Sequence, residues 1–359
     1  MRFATASAEG RDRDGNRLPA VTRLYEWPVV SQPPRLLSES MEAPSPSFLA
    51  LAKGSRTLFV TSEMDGEGQV SALALDGERL VFKGSRPTGG SAAVHAALDQ
   101  SGRWLAVANY RAEKAGDDAA IALLPISAEG GIAPLAAALS QAGHGPDRSR
   151  QEGPHSHCVM FSPDNRLLAA IDLGTDGLWL YHFDQNSGAI RLAREVKLPA
   201  GSGPRHCAFH PSRPFVYVCG ELDSTLVTLR YDSNAGTSEL ADTDAATKAP
   251  HAGRNYPSGL AISPDGHYLM LANRGADTIA TFWIDPETGM ARLRHEVPCG
   301  GKFPRAVRLD RTGTLLAVAN QKSGNVALFE RDFETGKIPA HPAQIIDLPS
   351  AMDVIFLDQ

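Results

Sequence analysis

The chain has 359 residues, of which 42% are hydrophobic and 21% charged, the balance of an ordinary globular protein. Its net charge of −6 argues against nucleic acid and anionic membranes as partners, because both reward a basic surface. No apolar run approaches the ~20 residues of a membrane-crossing helix. The opening stretch MRFATASAEGRDRDG turns polar too early for a secretory signal, so the expected location is the cytoplasm. There Cys158, Cys207, Cys219 and Cys299, none in a C-x-x-C pair, would be buried free thiols.

In chain order, RFATAS (residues 2 to 7) reads as a short strand, and AVTRLYEWPVV from Ala20 as another. A unit then begins to recur: an apolar strand, a turn, a second apolar strand, a polar break, and a third strand ending in an Asp/Gly-rich turn. Loose copies start at Phe48 (FLALAKGSRTLFVTSEMDGEGQVSALALDGE) and His95 (HAALDQSGRWLAVANY). Residues 111 to 120 and 140 to 153 look like loop insertions in the second unit, and SQAGHGPDRSRQEGP predicts little regular structure. Clear copies follow from Cys158 (CVMFSPDNRLLAAIDLG), His206 (HCAFHPSRPFVYVCGEL), Gly259 (GLAISPDGHYLMLANRG) and Ala306 (AVRLDRTGTLLAVANQ). AMDVIFL, from Ala351, fits a lone first strand.

Starts lie roughly 47 to 63 residues apart, near the period of four-stranded propeller blades. Six units plus a seventh assembled from both ends would close a ring and remove its open edge. The predicted fold is therefore all-β: one seven-bladed β-propeller domain, residues 1–359, with four-stranded antiparallel blades. The closing blade is shared between the N- and C-termini.

The first strand of a blade lines the central channel. Antiparallel pairing sets its start beside the end of strand two, so the residues there meet at one channel mouth. The position opening strand one is Ser47, Val94, His157, Arg205, Ser258, Arg305 and Ser350. The position closing strand two is Glu63, Tyr110, Leu173, Glu221, Arg274, Gln321 and Ser7. Packing positions between these columns stay apolar, while the columns vary and are mostly polar or charged. A site grafted onto a symmetric scaffold breaks symmetry in this way. Two arginines beside a glutamate and a histidine are residue types suited to acid–base chemistry on an anion.

His155 and His157 form H-x-H, but on a strand they diverge and no third ligand is evident, so no metal is expected. His95, His206 and His210 read as packing or hydrogen-bonding residues. With no G-x-x-x-x-G-K-[ST], G-x-S-x-G or H-E-x-x-H, no cofactor is expected either.

Several motifs together resemble a known family. They are GPHSH at 153–157, DLGTD at 172–176, GSGPRH at 201–206 with GEL at 220–222, SPDG and NRG at 263–266 and 273–275, and GKFPR with VANQ at 301–305 and 318–321. In that order and spacing they are similar to the lactonase family of seven-bladed propellers, which includes propeller-type 6-phosphogluconolactonases and carboxymuconate lactonizing enzymes. The resemblance covers most of the chain from about Ser45. It implies an active site of one histidine, two arginines and a glutamate, here His157, Arg205, Arg274 and Glu221, all four among the charged residues, with Arg305, that the repeat comparison selects. Three departures bear on the substrate rather than the fold: Gly220 and Ser62 stand where the family usually has asparagine, and the stretch from Arg111 to Ala120 is longer and more charged than the usual tight turn.

The resemblance implies a small anionic lactone as substrate, foremost 6-phosphogluconolactone, hydrolysed to 6-phosphogluconate. Glu221 or His157 could take a proton from water, and Arg205 or Arg274 could stabilise the oxyanion. The remaining arginine with Arg305 could grip a phosphate or carboxylate. Tyr110, Glu63, Gln321 and His155 are the further expected substrate-binding residues. The alternatives are a carboxymuconate-type cycloisomerase, a member with lost or changed activity, and a non-catalytic propeller serving as a binding platform. Oligomeric state is not legible.

Overall fold

The computed structural model describes residues 1–11, 15–28, 30–52, 54–111, 119–248 and 252–357. Seven four-stranded sheets, each antiparallel, form the blades of a β-propeller, and the described residues contain no helix. The innermost strands, in ring order from blade 1, are Pro46–Leu51, Ser91–Leu98, Ser156–Phe161, Pro204–Phe209, Tyr256–Ile262, Pro304–Leu309 and Ala351–Phe356.

Blade 7 takes its inner strand from the C-terminus and Arg2–Ser7, Val21–Glu26 and Arg35–Ser40 from the N-terminus. The predicted closure is thus borne out. An additional small hairpin, Gly10–Arg11 with Arg17–Leu18, sits in the connection between two of those strands. The closure is stitched by charge as well as by strand pairing. Asp353, wholly buried on the blade 7 inner strand, accepts hydrogen bonds from the Leu49 amide at 2.9 Å and from Arg308 Nη2 at 2.7 Å. The Arg308 guanidinium lies 4.3 Å over the Phe48 ring, so one ion pair joins blades 6, 7 and 1.

The strand pattern follows from this arrangement. Second strands such as Leu167–Asp172 and Phe215–Gly220 are buried along their whole length because a neighbouring blade covers each face. The outer strand Ile190–Lys197 has no fully buried residue, and its exposed Arg191, Arg194 and Lys197 blunt the free edge. Seven apolar clusters form the core, one between each adjacent pair of blades. Burying each large apolar side chain there contributes about 1.5–3 kcal/mol.

The insertion at 140–153 contains no strand or helix, as expected. It is nonetheless pinned. Gln151 is fully buried, and its Nε2 donates to the Leu173 carbonyl at 2.9 Å and to Asp176 Oδ1 at 2.8 Å. Of the other expected insertion, residues 112 to 118 lie outside the described residues.

Candidate active site

In every blade the inner strand carries a β-bulge near the mouth. The register between inner and second strands skips Ser47 in blade 1, Val94 in blade 2 and His157 in blade 3. It is interrupted around Arg205 in blade 4 and Ser258 in blade 5, and skips Arg305 in blade 6. These are the residues of the opening column. A bulge frees one residue from the ladder and re-aims its side chain, so the fold holds these side chains away from the strand's regular alternation. Blade 7 differs from the sequence reading. Its bulge falls at Met352, and Ser350 lies before the strand with φ 55°.

Glu221 follows the second strand of blade 4, Phe215–Gly220, and three arginines converge on it. Arg274 Nη2, from the end of the second strand of blade 5, donates to Oε2 at 2.5 Å. Arg205 Nε lies 2.9 Å from the same oxygen, close enough for an ion pair but not directed as a hydrogen bond. Arg150 Nη2, from the pinned insertion, donates to Oε1 at 2.6 Å. Arg274 is further held by its Nε donating to the Tyr256 carbonyl at 3.1 Å and by the Phe303 ring 5.2 Å away.

This cluster is not a wet channel rim. Arg205 is 1% exposed, Glu221 4% and Arg274 7%. Burial alone would raise the Glu221 carboxyl, but the charges of Arg274 and Arg205 and the bond from Arg150 outweigh it and hold the group down at about 2. Burial, with Arg274 adding repulsion, pushes Arg205 down to about 9, which leaves it charged at neutral pH. Its Nη1 makes no hydrogen bond within the protein.

His157 stands beside this cluster. Burial and then the charges of Arg205 and Arg305 drive its imidazolium well below the usual histidine range, so the ring is neutral near pH 7. Its Nδ1 is buried and has no partner within the protein. Tyr110 meets its edge with ring centroids 5.5 Å apart, and His206 packs against it at 5.4 Å. His206 in turn contacts His95 and Phe48, which agrees with a packing role for both histidines. His210 caps a turn, its Nδ1 accepting from the amides of Ser212 and Arg213.

The other expected residues gather around this centre. Arg305 Nη2 donates to Glu63 Oε2 at 2.7 Å. His155 stacks on Tyr110 at 4.6 Å, donates from Nδ1 to its carbonyl at 2.9 Å, and pairs with Glu152 at 3.1 Å. Gln321 Nε2 instead donates to Met352 Sδ at 3.3 Å on the inner strand of blade 7. The backbone carrying His155 is set by Asp172, whose buried carboxylate accepts from the amides of His155 and Thr175. Burial pushes that carboxyl up to about 6 against those two bonds.

Arg150 is the participant that repeat comparison could not find, because an insertion has no counterpart in the other blades. Its only trace in the sequence is a charged residue in the polar run that leads into GPHSH. A recess of about 470 Å³, lined by Tyr110, Arg111, Ser149, Arg150, Glu152 and His155 among others, opens beside it. A larger hollow of about 810 Å³ lies at the other ends of the strands, around His210, Arg213 and Tyr231.

Gly220 has a structural account. The matching position carries Asn109, Asp172, Asn273 and Asn320 in neighbouring blades, and each side chain bonds the backbone of the adjoining turn. At Gly220 a Cβ would stand 2.2 Å from Asp223 Oδ1 and 2.7 Å from Thr225 Oγ1. Asp223 fills the space that the neighbouring blades give to asparagine or aspartate.

Comparison with known proteins agrees with the geometry. Residues 30–356 match the family described as lactonase, 7-bladed beta-propeller. A 6-phosphogluconolactonase of Bacillus subtilis is 30% identical over 318 residues, covering 88% of each chain. One from Formosa agariphila is 31% identical over 332 residues, covering 90% of this chain and 92% of its own. Among solved structures, the periplasmic gluconolactonase PpgL of Pseudomonas aeruginosa superposes with a TM-score of 0.86 at 28% identity over 99% of both chains.

Proposed function

The chain belongs to the seven-bladed β-propeller lactonase family and is a lactone hydrolase, and from that premise we propose that it hydrolyses 6-phosphogluconolactone to 6-phosphogluconate in the cytoplasm. The relatives named for that activity support the substrate, and four buried free cysteines suit a reducing compartment. The observation that carries the chemistry is Arg205: buried, clamped by Glu221, with Nη1 free of any protein partner, and next to a neutral histidine.

His157 is the general base. Glu221 is too acidic for that task at about 2, because Arg274, Arg205 and Arg150 outweigh the effect of its burial. A water gives its proton to the imidazole as its oxygen attacks the lactone carbonyl carbon. The negative charge that develops on the carbonyl oxygen is met by Arg205 Nη1 and the Arg274 guanidinium, donors already oriented before reaction. As the tetrahedral carbon collapses, the ring C–O bond breaks and the imidazolium returns its proton to the leaving alkoxide. Glu221 never takes a proton; it holds two arginines in place that would otherwise repel. Tyr110 and His155 wall the substrate on one side, while Arg305 and Glu63 bound it on the other, with Gln321 at the edge.

The test is a pH-stat assay of purified protein with 6-phosphogluconolactone, corrected for spontaneous opening. Turnover well above that background supports the reading. Turnover of a carboxymuconate with none of the lactone would replace it with cycloisomerisation.

A further inference from the structure

Three arginines face a single carboxylate in this site, so Arg150, Arg205, Arg274 and Glu221 together carry an excess of positive charge. The three are not equivalent. Arg205 and Arg274 are sealed in, and Arg274 is further fixed by the Tyr256 carbonyl and Phe303. The Arg150 side chain keeps 32% of its surface exposed and borders the 470 Å³ recess. Its backbone is nevertheless rigidly placed. Gln151 beside it is fully buried, its carbonyl accepts from the Gly145 amide at 3.0 Å, and a Cβ on Gly145 would stand 2.4 Å from the Gln151 side chain. A fixed stem carrying a guanidinium that is about one-third exposed at the edge of a recess is the form of an anion-gripping arm.

We infer that Arg150 is the residue that selects a phosphorylated lactone: its guanidinium leaves Glu221 Oε1 and takes the substrate phosphate in the recess formed by Tyr110, Arg111 and His155. This rests on the lactonase reading above and adds which residue reads the phosphate. A phosphate carries close to two negative charges at neutral pH and accepts a planar guanidinium bidentately, so it outcompetes one carboxylate oxygen that retains Arg205 and Arg274. Arg111, already paired with Asp65 at the rim, adds a second cation to the recess. The site's own geometry then separates two tasks: the sealed arginines serve the carbonyl, and the exposed one serves the far end of the substrate.

The experiment compares kcat/KM for 6-phosphoglucono-δ-lactone and for glucono-δ-lactone in the wild type, Arg150→Met and Arg150→Lys. The ratio of the two values should fall between about 10- and 100-fold in Arg150→Met, mostly through KM for the phosphorylated substrate, and recover in part in Arg150→Lys. Inorganic phosphate should inhibit wild-type hydrolysis of glucono-δ-lactone competitively, with at least about tenfold weaker inhibition of Arg150→Met. Equal losses on both lactones, with phosphate inhibition unchanged, would overturn the inference and leave the lactonase reading standing. A wild type that opens neither lactone would instead remove the premise, a distinct result.

Discussion

Arg205 and Glu221 stand at the mouth ends of two adjacent strands of blade 4, with Arg205 Nε 2.9 Å from Glu221 Oε2 and both side chains closed off from solvent. Charges so buried are tolerable only as a set, because each alone would bear its full desolvation cost. The pair is therefore a structural commitment as well as part of the proposed catalytic machinery.

Replacing Glu221 by Gln leaves Arg205 and Arg274 buried without a counter-charge. The expected loss is about 3–5 kcal/mol of stability, together with most of the activity. The folded carboxyl is depressed to about 2 from an ordinary 4.5, so its stabilisation is full above pH 4.5 and is lost as pH falls toward 2. Thermal melts of both proteins from pH 7 to pH 2.5 should show the gap between them closing across that window. A gap independent of pH would refute the assignment.

His157→Gln should lower kcat by about 10²–10⁴ with a smaller effect on KM. In the wild type the acid limb of the pH–rate profile should lie well below 6.5, because burial and the nearby arginines disfavour the imidazolium. A limb at the ordinary histidine value, or full activity in the variant, would transfer the base role elsewhere.

Arg205→Lys keeps a charge but removes the donor at Nη1. The loss should appear chiefly in kcat, by about 10²–10³. A change confined to KM would mean that Arg205 binds the ground state and does not stabilise the oxyanion.

Gly220→Ala should destabilise the protein by about 1–3 kcal/mol, because the added methyl meets Asp223 Oδ1 and Thr225 Oγ1. The double variant Gly220→Asn with Asp223→Gly recreates the neighbouring blades' arrangement and should recover much of that loss. Urea melts of Gly220→Asn, Asp223→Gly and the double provide the cycle; strictly additive effects would show that the two positions do not share one space.

The blade count, the shared closing blade and, in blades 1 to 6, the column of residues opening the inner strand were legible in the chain. Strand alternation and turn residues are local properties, and repetition makes each unit a check on the others. His157, Arg205, Glu221 and Arg274 stood out because they break that repetition. The roles of Tyr110 and His155 as a stacked wall, and the pairing of Arg305 with Glu63 across blades 6 and 1, could be expected only as membership of the same mouth.

What the chain alone determined was which residues reach one end of the channel, since antiparallel pairing converts sequence order into position. Tertiary structure decided what they become there. The bulges that turn His157, Arg205 and Arg305 out of their ladders depend on how each inner strand meets its partner. The closure of Glu221 and Arg205 from water depends on neighbouring blades, and so does the crowd of arginine charge that lowers both the Glu221 carboxyl and the His157 imidazolium. Arg150 arrives from an insertion with no counterpart elsewhere in the repeat. Its place was set by a buried glutamine that nothing in the local pattern marks as buried, because burial is a property of the assembled ring.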